Sequence, residues 1–380
     1  MIPWHERMIA RLCEAGDLTE DWRPSFERVP RHLFIPDKVW EDGTNGPTRL
    51  GRSEDPYAWL NLAYSDQPVI TQLDDGDCSG RGYVSSSASM PSIVAMMLRR
   101  LNATHGMKVL EIGTGTGWNA GLLSARLGAR NVVSVEVDAE LAERARKALA
   151  DAGHQPQVIT ADGMDGWLPS APYDRVLATA AVQRVPYAWV AQARPGGLIV
   201  TPWGTSFHNG ALACLTVDNH GTASGYFGGN VAFMWARSQR TPHGSVEDRV
   251  RLEHDYVETH TLLYPREPVS DFDASFAIGL RVPGMKSTVV FDGDRVGPNF
   301  TVYLMDPVSG AWASWRIDQG ADTYIVRQHG PRRLFDELEA AYAWWRQAGR
   351  PTHDRFGLTV NESTQIVWLD SPDQMISWRV

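Results

Sequence analysis

Between residues 91 and 245 the apolar positions alternate between two spacings. The run after Pro91 (SIVAMMLRRL) repeats its apolar residues three and four apart, and proline fits the first turn of a helix. Short β-branched runs follow, each separated from the next by a helical pattern. The spacing predicts a strand at 108–112 (KVLEI), a glycine-rich turn, a helix from about Trp118, a strand at 131–137 (NVVSVEV) and an Ala/Arg/Glu-rich helix over 139–152. Further strands are expected at 157–160, 175–179 and 197–201. Strands spaced by helices of this length build βαβ units, so the expected class is α/β with a parallel, doubly wound sheet. After Gly204 the pattern becomes ALACLTV (211–217) and then GNVAFMWA (229–236), which reads as an antiparallel hairpin at the sheet edge.

The flanks differ. Residues 1–50 combine a short amphipathic helix around Ile9 and Leu12 with an irregular stretch, VPRHLFIP, at 29–36. Residues 51–90 are rich in Asp, Gly and Ser and read as a long loop. Beyond 245 come short strands (FAIGL, TVVF, TVYLM, AWASWRI, TYIVRQ), one helix at 332–347 and two closing strands (TQIVWL, MISWRV), the pattern of a small C-terminal α+β domain. The chain therefore divides into 1–90, 91–245 and 246–380. Trp312, Trp315, Trp344, Trp345, Trp368 and Trp378 in the last part are expected mainly as core, with a peptide-docking surface as the other reading.

Composition narrows the function. With 43% hydrophobic and 21% charged residues the chain is globular, and its apolar runs break well before the length of a membrane span. The start, MIPWHERMIARL, carries charge through its apolar positions, so no signal peptide and a cytoplasmic location are expected. A net charge of −9 disfavours a nucleic-acid partner. Cys13, Cys78 and Cys214 are far apart and form neither a disulfide framework nor a metal knuckle. HExxH, EF-hand and P-loop motifs are missing, and no metal is expected.

The chemistry concentrates at 111–117, Glu-Ile-Gly-Thr-Gly-Thr-Gly, between a strand and a helix. Glycines there let the backbone turn sharply and approach a ligand, and the helix beyond offers free N–H groups. Glu136 ends the next strand, where nucleoside-binding folds hold a ribose hydroxyl. Asp162-Gly163 follows the third strand; it is either a nucleoside-side contact or a plain Asp-Gly turn. Trp118 stands where a dinucleotide fingerprint needs its spacing to close, so ExGxGxG points to S-adenosylmethionine instead.

Several segments extend the likeness: VPRHLFIP (29–36), AYSDQPV (63–69), SASMPSIVAMML (87–98), VLEIGTGTGWNAGLL (109–123), VVSVEVD (132–138), TADGMDGW (160–167), APYDRVLATAAVQRVP (171–186) and PGGLIVTPWG (195–204). In content and order they resemble the protein-L-isoaspartate O-methyltransferase family. The resemblance implies a class I S-adenosylmethionine-dependent methyltransferase fold, Rossmann-like, with S-adenosylhomocysteine as product. It gives the Ser-x-Pro serine, Ser89, the catalytic role, with Ser87 beside it, and places Ser86 and Ser87 at the donor. Glu111, Gly113, Gly115 and Gly117 then belong to the turn that holds the methionine moiety, Glu136 to the ribose, and Asp162 with Gly163 to the adenine side. Residues 1–90 would cover the substrate, a peptide or protein bearing Asp or isoaspartate. His32 is read as packing or a substrate contact.

Two departures shift the expected acceptor. Repair enzymes of the family carry a short loop, Gly-x-Gly-Gln-Thr, before the Ser-x-Pro, whereas this chain has TQLDDGDCSGRGY at 71–83. Residues 246–380 are expected to have no counterpart in those enzymes. Extended homologues of this kind resemble enzymes that methylate Asp in ribosomally made peptides so that it closes to aspartimide. That is the leading expectation. A repair enzyme with an added domain, and a non-catalytic peptide-binding adaptor, are the alternatives. Methyl transfer to an already ionised carboxylate needs no general base, in keeping with the lack of a His–Asp motif.

Overall fold

The computed structural model describes residues 2–43, 46–77, 79–80, 82–240, 246–251, 253–293 and 296–379. At the N-terminus, α1 (Ile2–Glu14) and α2 (Arg23–Arg28) bury Met8, Ile9, Leu12 and Phe26 in an apolar cluster with Trp22 and Val29. The segment expected as a loop at 51–90 is folded instead. Strands β1 (Lys38–Glu41), β2 (Thr48–Gly51), β3 (Val69–Leu73) and β4 (Val84–Ala88) make an antiparallel sheet in the order β2-β1-β3-β4, and α3 (Pro56–Tyr64) lies between β2 and β3. Serines have little strand preference of their own, but Val69, Ile70 and Ala88 are buried. Pairing Val69 with Ala88 and Ile70 with Ser87 draws the serine run into the ladder.

Helix α4 (Pro91–Leu101) leads into the central sheet. Strands β5 (Val109–Ile112), β6 (Val132–Glu136) and β7 (Gln157–Thr160) alternate with α5 (Trp118–Leu127) and α6 (Ala139–Asp151); β8 (Tyr173–Ala178), α7 (Tyr187–Gln192) and β9 (Ala193–Gly204) follow. These strands are parallel in the order β7-β6-β5-β8-β9, and β5 and β6 are buried along their whole length, as strands covered on both faces must be. The chain order reverses between β5 and β8. Such a switch opens a crevice at the carboxyl ends of the strands, and the site lies there. The hairpin after Gly204 is β10 (Asn209–Val217) and β11 (Ala223–Asn230). Its second strand starts earlier than the expected 229–236, and the hairpin is not at the edge.

The C-terminal part first forms α8 (Val246–Arg249), β12 (Val257–Thr261), α9 (Phe272–Gly279), β13 (Lys286–Phe291), β14 (Phe300–Met305), β15 (Trp312–Ile317), β16 (Tyr324–His329) and α10 (Leu334–Gln347). Its five strands run antiparallel in the order β12-β16-β15-β14-β13. The FAIGL segment expected as a strand is α9, capped by Asp271, whose Oδ1 accepts the Ala274 N–H at 2.9 Å. Every residue from Ala274 to Gly279 is buried, so the run is apolar all round and its period could not separate helix from strand. The chain then returns to the central sheet. Strands β17 (Phe356–Val360), β18 (Gln365–Leu369) and β19 (Met375–Arg379) continue it beyond β11, giving ten strands among the described residues. One apolar cluster runs from Leu110 to Ile376, so the last strands are not part of a separate C-terminal layer. Trp312, Trp315, Trp345 and Trp368 are buried and Trp344 partly so; the Trp378 side chain lies outside the described residues.

Candidate active site

The cleft at the switch point is lined from four directions: the serines of β4, the turn after β5, the ends of β6 and β7, and the segment 233–240 after β11. Gly113 and Gly115 have φ of +92° and +54°, values that favour glycine. A Cβ on Gly113 would come within 2.7 Å of the Thr179 Oγ1, which donates to the Gly113 carbonyl at 2.5 Å. A Cβ on Gly115 would enter open space, 4.0 Å from the Ser87 carbonyl oxygen. The groove thus passes directly over a bare backbone.

Ser86, Ser87, Ser89, Gly113, Gly115, Glu136, Asp162 and Gly163 all line this cleft. The Glu136 carboxylate accepts the Gly115 N–H at 2.8 Å and the Asp138 N–H at 3.1 Å, which aims it across the glycine turn. Asp162 is exposed, and its Oδ1 accepts the Met164 N–H at 3.0 Å, so the Asp-Gly turn and the cleft contact coincide. Ser89 is half-buried ahead of Pro91, with the N-terminus of α4 held by Asp66, whose Oδ1 accepts the Ser92 N–H at 2.9 Å.

Two expected contacts lie elsewhere. Glu111 is fully buried behind the cleft, where it accepts from Asn119 Nδ2 at 2.6 Å and from the Ser134 hydroxyl. Burial pushes its carboxyl up to about 7, against the lowering effect of both bonds. It reaches the cleft only through Asn119 and, by way of Ser134, through Thr114. Gly117 caps the start of α5, and a Cβ there would press on Ala145 and Leu149 at 3.3 Å, so it serves the packing of α6. His32 also lies outside the lining, hydrogen-bonded to the Tyr64 hydroxyl.

Sequence reasoning missed four charged residues. Arg31, wholly buried, donates to the carbonyls of Ala63, Ala88 and Ser89 at 2.8, 3.0 and 2.9 Å. Asp138, the cap of α6, accepts from Gln72 Nε2 and from Arg237, each at 2.9 Å. Burial would raise the Asp138 carboxyl, but those bonds and the Leu141 N–H outweigh it and hold it down to about 2. Arg237 and Arg240 both grip Asp75, at 3.1 and 2.7 Å. The pair of arginines three apart in ARSQR was the one available signal.

A nucleoside with a charged sulfonium tail fits these walls. There is a buried carboxylate for a ribose diol, apolar surface from Val137, Leu141 and Leu177, and hydroxyls from β4 at the far end. Over residues 55–239 the chain matches the family model of protein-L-isoaspartate(D-aspartate) O-methyltransferase. It is 32% identical over 236 residues to protein-L-isoaspartate O-methyltransferase 2 of Archaeoglobus fulgidus, covering 62% of this chain and 93% of that one. The chain belongs to the protein-L-isoaspartate O-methyltransferase family. It is also 37% identical over 209 residues to the enzyme of that name from Thermococcus onnurineus, covering 54% of this chain and 79% of the relative. A solved structure named protein-L-isoaspartate O-methyltransferase shares the fold with a TM-score of 0.54 and 19% identity, over 97% of this chain and 100% of that one. Over that span residues 246–380 have a counterpart in fold in this one structure, where none was expected. The fold is that of class I S-adenosylmethionine-dependent methyltransferases, and S-adenosylmethionine is the cofactor that goes with it. Among the described residues no group of His, Cys, Asp and Glu is arranged to hold a metal, and no helix is long and apolar enough to cross a membrane.

Proposed function

We propose that this member of the family methylates the side-chain carboxylate of an ordinary Asp in a constrained peptide, and that the ester then closes to aspartimide. The observation that carries the reading is the loop between β3 and β4. It is closed by its own acidic groups: Asp74 accepts from the Gly82 and Tyr83 N–H groups at 2.7 and 2.9 Å, and Asp77 from the Ser79 N–H at 2.8 Å. Arg237 and Arg240 tie it to the donor cleft through Asp75. In place of a short glycine-rich cover stands an acid-laced one, which supports an acceptor that enters in a different register.

The donor supplies an electrophilic methyl on sulfur. Ser89 and Ser87 orient an acceptor carboxylate that is already ionised, so neither has to move a proton. Rate comes from alignment, where a misplacement of about 1 Å can cost about 100-fold. After transfer the next backbone nitrogen attacks the ester carbonyl, methanol leaves, and the ring closes. A second reading, repair of isoaspartate, is favoured by the match of a solved enzyme of that name over 97% of the chain. Labelled donor offered with an isoaspartyl peptide and with a cyclised Asp peptide separates the two. Methylation of the Asp peptide, followed by a product one water lighter, is expected; transfer to the isoaspartyl peptide alone would return the protein to repair.

A further inference from the structure

A second cavity, of about 570 Å³, opens between residues 183–187 and the β17–β18 turn at 361–365. That size is in the range of ligand sites, about 300–1,000 Å³. We infer that it holds the residues of the acceptor chain that flank the methylated one. The inference rests on the reading that the acceptor is a polypeptide carboxylate. Its first support is proximity: Met164 lines this cavity and the donor cleft alike, so the two openings adjoin.

The second support is rigidity. Gln239 Oε1 accepts the N–H groups of Gln183 and Arg184 at 2.8 and 2.9 Å, while its Nε2 donates to the Arg184 carbonyl at 2.8 Å and to the Met164 sulfur at 3.3 Å. From the opposite wall Gln365 clasps Val185 in both directions, its Oε1 accepting the N–H at 3.0 Å and its Nε2 donating to the carbonyl at 2.6 Å. Asn361 holds the turn itself, accepting from the Ser363 and Thr364 N–H groups at 3.0 and 2.8 Å. A pre-organised wall limits the entropy lost when a flexible chain binds.

The third support is charge. Arg184 and Glu362 are both exposed on the rim, and among the described residues neither has an ion-pair partner. One cation and one anion across a floor of amides and backbone suit a polypeptide of mixed charge; a polyanion would meet Glu362. The wall at 361–365 lies beyond the family match, which ends at 239.

The test uses the full-length protein and synthetic acceptors in a short and a long form, each made as an isoaspartyl peptide and as a cyclised Asp peptide. For the preferred acceptor the long form should have the lower KM. Arg184→Glu and Glu362→Lys should each raise the KM for the long form on the order of tenfold and remove the length preference. S-adenosylhomocysteine affinity, measured by calorimetry on the same variants, should stay at the wild-type value and establishes that they are folded. Equal KM for short and long forms in the wild type, or a length preference that survives both variants, overturns the inference alone. Transfer to none of the peptides overturns the acceptor reading and the inference together.

Discussion

A guanidinium removed from water and given no carboxylate is costly unless its donors are all used. Arg31 offsets most of that cost through its two terminal nitrogens, which donate to backbone carbonyls from α3 and its C-terminal turn and from β4, and through the face of Trp118, 5.4 Å from its carbon; its buried Nε has no hydrogen-bond partner among the described residues. Burial still pushes it down to about 9. Because one of those carbonyls is that of Ser89, Arg31 is a positioning residue for the Ser-x-Pro. Arg31→Met should cost about 1–3 kcal/mol for each carbonyl left unpaired, read as a lower Tm. Arg31→Lys should restore part of the stability but less of kcat, since one ammonium cannot span both β4 and α3. Glu136 and Ser89 divide the remaining work. Glu136→Ala should weaken donor binding by about 1–3 kcal/mol in calorimetry. Ser89→Ala should lower kcat and leave donor affinity unchanged; a covalent adduct on Ser89 would contradict the positioning role.

Three elements meet over the donor cleft: the β3–β4 loop, the cap of α6 and the segment after β11. Gln72, Asp75, Asp138, Arg237 and Arg240 join them in one network, and Arg237 touches both acids. Asp75 is 40% exposed, so its two ion pairs are each worth about 0–1 kcal/mol and are weakened by salt. Asp75→Asn should therefore open the cleft more often without altering what it binds. Stopped-flow exchange of S-adenosylhomocysteine should show both association and release faster, by up to about fivefold, with Kd nearly unchanged. The wild type in high salt should move the same way. Unaltered rates in the variant would mean that the network is not what limits access.

Over the whole molecule, two buried groups set opposing pH slopes. His208 sits between β9–β10 and α9, its Nδ1 2.8 Å from the Ser275 hydroxyl, with Phe272 and Phe276 against the ring. Burial, helped by His353 and opposed by Asp273, pushes it down to about 4. Its contribution to stability is complete above about pH 6.5 and is lost as pH falls, because the unfolded chain takes up the proton first. At pH 5 the loss is about 2 kcal/mol. Glu111, pushed up to about 7, acts the other way: it favours the fold most below about pH 4.5, and that gain disappears as pH rises through 7. Denaturant midpoints across pH 4.5–7 should fall more steeply toward acid in Glu111→Gln and flatten or reverse in His208→Asn. The position of His208 also explains why 246–380 should not be removable as a unit. Deletion would strip α9 from this contact and β17 from the edge of β11, leaving the apolar cluster open.

The sequence by itself determined what depends on neighbours in the chain. The β5 strand, the glycine turn, α5, β6 with Glu136 at its end, and the Asp162-Gly163 turn were all legible, because period, left-handed glycines and a strand's last residue are local properties. It also carried the family, through segments whose order survives along the core. What only the tertiary structure decided involves residues that are ambiguous until a distant partner arrives. The serines of β4 become a strand by pairing with β3, and FAIGL becomes α9 because apolar surface meets it on every side. Phe356–Val360 joins a sheet whose neighbouring strand lies more than a hundred residues earlier. Arg31 reaches Ser89 across 58 positions, and Arg237 reaches Asp138 across 99. Buried charges and sheet edges take their meaning from such pairings, and no local pattern encodes which ones form.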